Sequence, residues 1–183
     1  MKPALVALGT LGLLAQAPGQ PPAALPVDSK DHQPLLLGPA TAQAILAHRP
    51  AFRENLAKAP VPEALKARWK AIRRPFTLVV VFGSWCGDSH YQLPDLLALE
   101  AEPNPFIEVH YLGVGRDKQL PAAQWPRGCA PQPVQRVPTF YLYATEPGGG
   151  QAFAGAVVEN PPRAGQRMAE ALVELVEAAA ARP

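Results

Sequence analysis

Along this chain the spacing of apolar residues changes period repeatedly, and each change marks an element. Residues 76–82 (FTLVVVF) are an unbroken apolar and β-branched run of strand length. That pattern belongs to a central strand buried on both faces. Gly83 and Ser84 break it, and Leu93, Leu96 and Leu97 then form a helical stripe over about residues 87–99. Pro94 lies inside that helix, where a proline removes a backbone donor and bends the axis. Pro103, Asn104 and Pro105 close the segment, and residues 107–114 (IEVHYLGV) read as the next strand. A long proline-rich loop, 115–134, carries Trp125 and Cys129. Residues 139–143 (TFYLY) and 151–158 (QAFAGAVV), divided by a Pro-Gly-Gly-Gly turn, read as an antiparallel pair. A final helix over 162–180 has Met168, Leu172, Leu175, Val176 and Ala179 as its apolar stripe.

Upstream, three short helices are predicted at 41–48, 51–58 and 62–72. The third has Pro62 in its first turn and Leu65, Trp69 and Ile72 at helical spacing. These read as scaffold against the sheet. Residues 18–40 read as a proline-rich tether. Before them, Met1-Lys2, the uncharged run 4–14 (ALVALGTLGLL) and Ala15-Gln16-Ala17 have the layout of a signal peptide over residues 1–17. The apolar run is too short to span a bilayer. The expectation is export to the periplasm or cell envelope, with no stable membrane insertion once the leader is removed. The element order, β-α-β, loop, β-β-α, implies an α/β fold: a central mixed β-sheet flanked by helices, over residues 75–183, with a helical extension at 41–74.

Composition narrows the function classes. Hydrophobic residues make up 48% of the chain, which suits a globular core. A net charge of +2, from 17 basic and 15 acidic residues, is too balanced to imply a nucleic-acid partner. Two cysteines exclude a disulfide-rich scaffold, although they can pair with each other in an oxidising compartment.

Cys86 ends the strand-to-helix break. At a helix N-terminus, unpaired backbone N–H groups and the positive end of the macrodipole favour thiolate, the nucleophilic form. Asp88 suits a first helical turn, but its charge opposes a neighbouring thiolate. That repulsion is about 3 kcal/mol at ~6 Å with an effective dielectric near ~20, and below about 1 kcal/mol in water. The helix terminus contributes about 0.3–2 kcal/mol the other way, so the sign of the sum stays open. His90, one turn on, can stabilise the thiolate when protonated, or serve as a solvated first-turn residue. His110 alternates with core positions on its strand and reads as structural. Cys86, His90, His110 and Cys129 lack the tight spacing of a structural zinc site, so neither metal nor cofactor is expected.

Taken jointly, Trp85-Cys86-Gly87-Asp88-Ser89 at the strand's end, Pro94 eight residues after Cys86, Val137-Pro138-Thr139 before a later strand, and Gly155 before Val157 resemble the thioredoxin superfamily. More narrowly the chain resembles a bacterial variety bearing a Cys-x-x-Ser, monothiol motif. The resemblance covers about residues 75–180. It implies a thioredoxin-like fold with extra N-terminal helices and Cys86 as the attacking cysteine. It also implies a cis Pro138 that frees the Val137 backbone to pair with an extended peptide, and a substrate surface of Trp85, Gly87, Val137, Pro138 and Thr139.

Ser89 stands where the second cysteine would be. Its hydroxyl can donate a hydrogen bond to a Cys86 thiolate but cannot release a mixed disulfide. Val80 occupies the place of the family's buried acid. Cys129, in the loop before Pro138, is implied to lie near Cys86, as a disulfide partner, as a distant resolving thiol, or free. The expected function is an exported thiol–disulfide oxidoreductase that forms mixed disulfides with protein or small-molecule thiols. The alternative is a redox-inactive module that binds extended peptides.

Overall fold

All seven side chains of strand β2 (Phe76–Phe82) are buried, and the other elements are arranged to cover them. The computed structural model describes residues 25–58 and 60–182. The expected leader at 1–17 and the start of the expected tether lie outside this range. Successive side chains of a strand point to opposite faces, so β2 feeds two separate cores. Phe76, Leu78, Val80 and Phe82 join the larger one, and Val79 and Val81 the smaller.

Strand β1 (Gly38–Ala40) comes first in the chain, followed by helices α1 (Ala42–His48), α2 (Pro50–Lys58) and α3 (Glu63–Ala71). After β2 come α4 (Gly87–Glu100), β3 (Ile107–Gly113), β4 (Thr139–Thr145), β5 (Gln151–Val158) and α5 (Met168–Ala180). The sheet order is β1-β3-β2-β4-β5. β2 and β3 are parallel, with α4 as their crossover, whereas β4 and β5 form an antiparallel edge pair. This is the mixed α/β sheet of a thioredoxin-like fold, with α1, α2 and α3 lying in the chain between its edge strand β1 and its central strand β2.

The larger core lies beneath the helices. Ile45, Phe52, Leu65 and Trp69 reach it from α1, α2 and α3, Leu93, Leu96 and Leu99 from α4, and Leu172 and Val176 from α5. Pro94 cannot donate to the carbonyl four residues back, that of His90. Asn55 of α2 donates its side-chain amide to that carbonyl at 2.9 Å, so the orphaned acceptor becomes a link between helices. Where α5 crosses the sheet, Gly155 has φ +150°, and a Cβ there would meet Leu175 Cδ1 at 2.9 Å.

Among the described residues, no helix of comparable length covers the opposite face. The proline-rich loop covers it, with Trp125, Cys129 and Val137 buried against Val79, Val81, Tyr141 and Tyr143. The Trp125 ring lies 5.4 Å from Tyr141 and 6.5 Å from Tyr143, centroid to centroid. The two tyrosine hydroxyls donate to loop carbonyls, Tyr141 to Pro133 at 2.9 Å and Tyr143 to Ala130 at 2.6 Å. A loop with few backbone partners of its own is held as a layer by these anchors.

Two expectations change. Part of the segment read as a tether is built into the fold. β1 pairs antiparallel with β3, Gly38 opposite Gly113, and residues 26–35 close into a strap through the Val27–Pro34 bridge and the Leu35 N–H to Pro26 carbonyl bond. Gly113 permits this, because a Cβ there would sit 2.0 Å from the Leu36 carbonyl oxygen. The last helix starts at Met168 rather than 162, since Pro161, Pro162 and Gly165 (φ +75°) keep the preceding residues in turns. Asp95 of α4 accepts the Ala169 N–H at 3.0 Å and so caps the delayed start.

Replacing Trp125 with alanine tests whether the loop is a structural layer. The expected loss is about 3–5 kcal/mol by denaturant unfolding, as for a buried large aromatic. A loss under about 1 kcal/mol, the level of a surface substitution, contradicts the assignment.

Candidate functional site

The candidate site is built where β2 and β3 both end, the face at which parallel strands of an α/β sheet present their loops. Cys86 is the N-cap of α4, with extended backbone (φ −95°, ψ 125°), and its side chain is half-buried. Its Sγ lies 3.3 Å from the Val137 carbonyl oxygen. The Val137–Pro138 peptide bond is cis, as the resemblance implied. Thr139, also buried, donates its hydroxyl to the Arg136 carbonyl at 2.8 Å and so ties down the turn that presents Val137. Gly87 and Asp88 are exposed beside the sulfur. The residues around Cys86 and Pro138 are therefore one surface, although about 50 positions apart in sequence.

Trp85 is held from three sides. Its indole Nε1–H donates to the Val114 carbonyl at 3.0 Å. Its ring lies over Gly83, where a Cβ would stand 2.7 Å from Cε2. The Arg116 guanidinium is stacked above the ring, 4.7 Å from its centroid, a cation–π arrangement. Arg116 in turn forms a forked ion pair with Asp28 of the strap, with Nε 2.8 and 3.0 Å from the two carboxylate oxygens and an N–O approach of 2.8 Å at the other nitrogen. Asp28 is 1% exposed. The Arg116 hydrogen bond, opposed by burial, moves its carboxyl from the usual 3.8 down to about 2. Just beyond the strap, the Leu36 N–H donates to the buried Ser84 hydroxyl, in the turn before Trp85, at 3.0 Å.

Three expected roles change. Ser89 is fully buried, and its Oγ accepts the Gly83 N–H at 3.2 Å, so the side chain is anchored to the turn before the helix and its O–H alone remains to donate. His90 Nε2 lies 2.8 Å from the Ser84 carbonyl, which can only accept, so that nitrogen carries the proton. The ring stands edge-on to Phe52 at 4.8 Å and acts as a clamp on the loop.

Cys129 is not brought to Cys86. Both thiols are free. A Cβ on neighbouring Gly128 would lie 3.2 Å from Gln151 Cγ. Gln151 pairs with Thr145, at the end of β4 remote from Thr139. Six residues of strand separate those two rows, about 20 Å at ~3.3 Å per residue, far beyond the ~7 Å Cα limit for a disulfide. Burial pushes the Cys129 thiol up to about 11.

Sequence reasoning missed Arg116 and Asp28. A signal for Arg116 exists: it is the first charged residue after the β3 apolar run, and the exits of adjacent parallel strands lie side by side. Nothing comparable marks Asp28, which sits in an ordinary polar turn. Among the described residues, no group of three or more His, Cys, Asp or Glu could hold a metal, and no helix is long and apolar enough to cross a membrane.

A family profile described as Thioredoxin matches residues 40–140, more than half of the chain. The chain belongs to the thioredoxin family. The matched span takes in the three N-terminal helices, the Cys86 motif and the cis-proline turn of this thioredoxin-like protein. Among solved structures it is similar to a protein of unknown function, PA1234 from Pseudomonas aeruginosa, at 21% identity and a TM-score of 0.46, over 75% of this chain and 84% of that one. A crystallised HIV epitope-scaffold is similar at 21% identity and TM-score 0.46, over 75% and 85% of the two chains. No curated protein matches it.

The Asp28–Arg116 pair carries a pH dependence of known sign. A carboxyl held below its unfolded value stabilises the fold above about 3.8, and that contribution disappears as pH falls towards about 2. The urea midpoint of the wild type should therefore drop through that window by more than that of Asp28→Asn, which has no such group to protonate. Parallel curves for the two proteins contradict the assignment.

Proposed function

We propose that this protein is a monothiol thiol–disulfide exchange protein of the thioredoxin family that acts on exported protein or small-molecule thiols through Cys86. The observation that carries this reading is the half-exposed Cys86 sulfur at the start of a 14-residue helix, 3.3 Å from the Val137 carbonyl and beside the cis Pro138. The leader-like residues 1–17 support export.

The chemistry follows from the single sulfur. The Cys86 thiolate attacks one sulfur of a substrate disulfide R–S–S–R′, forming Cys86–S–S–R and expelling R′–S⁻, which takes a proton from water. Ser89 cannot continue, because an alcohol does not displace sulfur under these conditions and its oxygen is engaged with Gly83. Turnover therefore uses an external thiol, small or on a second substrate. As thiolate it attacks the substrate sulfur, forms R–S–S–R″ and returns Cys86 as thiolate. Disulfide bonds are conserved in number, so the cycle shuffles or transfers them without a further oxidant.

The Val137 backbone and the indole of Trp85 would line the peptide on either side of the reacting sulfur. Such a surface also suits the alternative of a redox-inactive peptide-binding module, and one substitution separates the two. Cys86→Ser should abolish exchange with a mixed-disulfide peptide in the presence of a small thiol, to below about 1% of wild type, since the nucleophile is gone. Cys129→Ser should leave it within about twofold, its thiol being buried and mostly protonated. Exchange that survives in Cys86→Ser overturns the proposal by showing a different nucleophile, and peptide binding without exchange in the wild type overturns it in favour of the module.

A further inference from the structure

The Arg116 guanidinium and the Asp28 carboxylate are one charged unit hung on the residue that precedes the sulfur. Arg116 is stacked on Trp85 and fixed there by a carboxylate 88 residues earlier in the chain. The remaining charges around Cys86 are accounted for element by element. On α4, Asp88 is exposed in the first turn and His90 is turned to the Ser84 carbonyl. On the cis-proline turn, Arg136 is paired with Glu159. At the β3 exit, Asp117 is exposed and its Oδ1 accepts the Gln119 N–H at 3.2 Å. The only ion pair that approaches the motif through a direct side-chain contact is therefore Arg116–Asp28, among the described residues. The protonated state of Arg116 is favoured by the Asp28 hydrogen bond first and then by the charges of Asp28 and Asp31 of the strap, and its stacking on Trp85 sets the guanidinium against the residue next to Cys86.

We propose that Arg116 is a positioning residue that stabilises the Cys86 thiolate by its charge and holds Trp85 beside it, and that Asp28 of the strap both fixes Arg116 and moderates that charge. The proposal rests on Cys86 being the reacting sulfur. The consequence is a reactivity set by opposed charges. Removing the guanidinium leaves a bare carboxylate facing the motif, which disfavours thiolate. Removing the carboxylate charge leaves an unmoderated cation, which favours it. Lost structure cannot imitate this, because damage to the Trp85 cradle moves both variants the same way.

The test is the pH profile of Cys86 alkylation by iodoacetamide, read by peptide mass on the full chain for the wild type, Arg116→Gln, Arg116→Lys and Asp28→Asn. Arg116→Gln should move the midpoint to higher pH and slow alkylation about three- to tenfold near neutrality, the effect of a unit charge at the rim of a half-buried site. Arg116→Lys should stay close to the wild type, and Asp28→Asn should move the midpoint to lower pH. An unmoved profile in Arg116→Gln, or shifts of the same sign in Arg116→Gln and Asp28→Asn, overturns the proposal. Iodoacetamide reports the ionisation of the sulfur and not disulfide exchange. Opposed shifts in a protein without exchange activity therefore uphold this inference while the proposed function fails, and the converse result separates them equally.

Discussion

A seven-residue strand buried on both faces sets the terms for the rest of this molecule. β2 has no exposed side chain, and each buried apolar side chain contributes about 1.5–3 kcal/mol only while something keeps water away from it. Helices α1 to α5 do so on one face. On the other, the chain uses a proline-rich loop held by Trp125 and by two tyrosine hydroxyls bonded to its carbonyls. The functional geometry is a by-product of that cover. The loop must lie flat on Val79 and Val81, and where it turns into β4 it brings Val137 and Pro138 to the Cys86 sulfur.

At the exits of β2 and β3 the same economy is visible. Gly83 has no side chain because the Trp85 ring occupies the space, and Gly113 has none because the Leu36 backbone crosses there. Trp85 is then clamped by Val114 below and Arg116 above, and Arg116 is clamped by Asp28. Each contact is ordinary in strength. Their sum gives a reactive cysteine whose neighbours are fixed by a segment outside the α/β core, so the strap belongs to the site as much as the helix does.

Much of this was legible in the sequence, for identifiable reasons. Phe76–Phe82 and Gln151–Val158 have the element bounds that their patterns predicted, because strand-length apolar runs ended by glycine or proline admit few other readings. The resemblance carried the cis Pro138 and the closeness of Val137 to Cys86. What was not legible depends on side chains meeting across long separations. β1 has three residues, too few for any periodicity, and Asp28 is an acid in a turn like many others. Spacing along the helix relates Ser89 and His90 to Cys86. Their real partners, the Gly83 N–H and the Ser84 carbonyl, belong to the turn before it. The loop that carries Cys129 leads into Pro138, but it spans the length of the sheet and leaves Cys129 at the far end, beside Gln151.

A sulfur with no neighbouring partner should become trapped. Intact-mass measurement of the protein after exposure to a small aromatic disulfide tests this most directly. One adduct is expected, on Cys86, that persists until an external thiol is added. Spontaneous loss of that adduct with formation of an intramolecular disulfide to Cys129 contradicts it, because β2 and its neighbours hold those two thiols at opposite ends of the sheet.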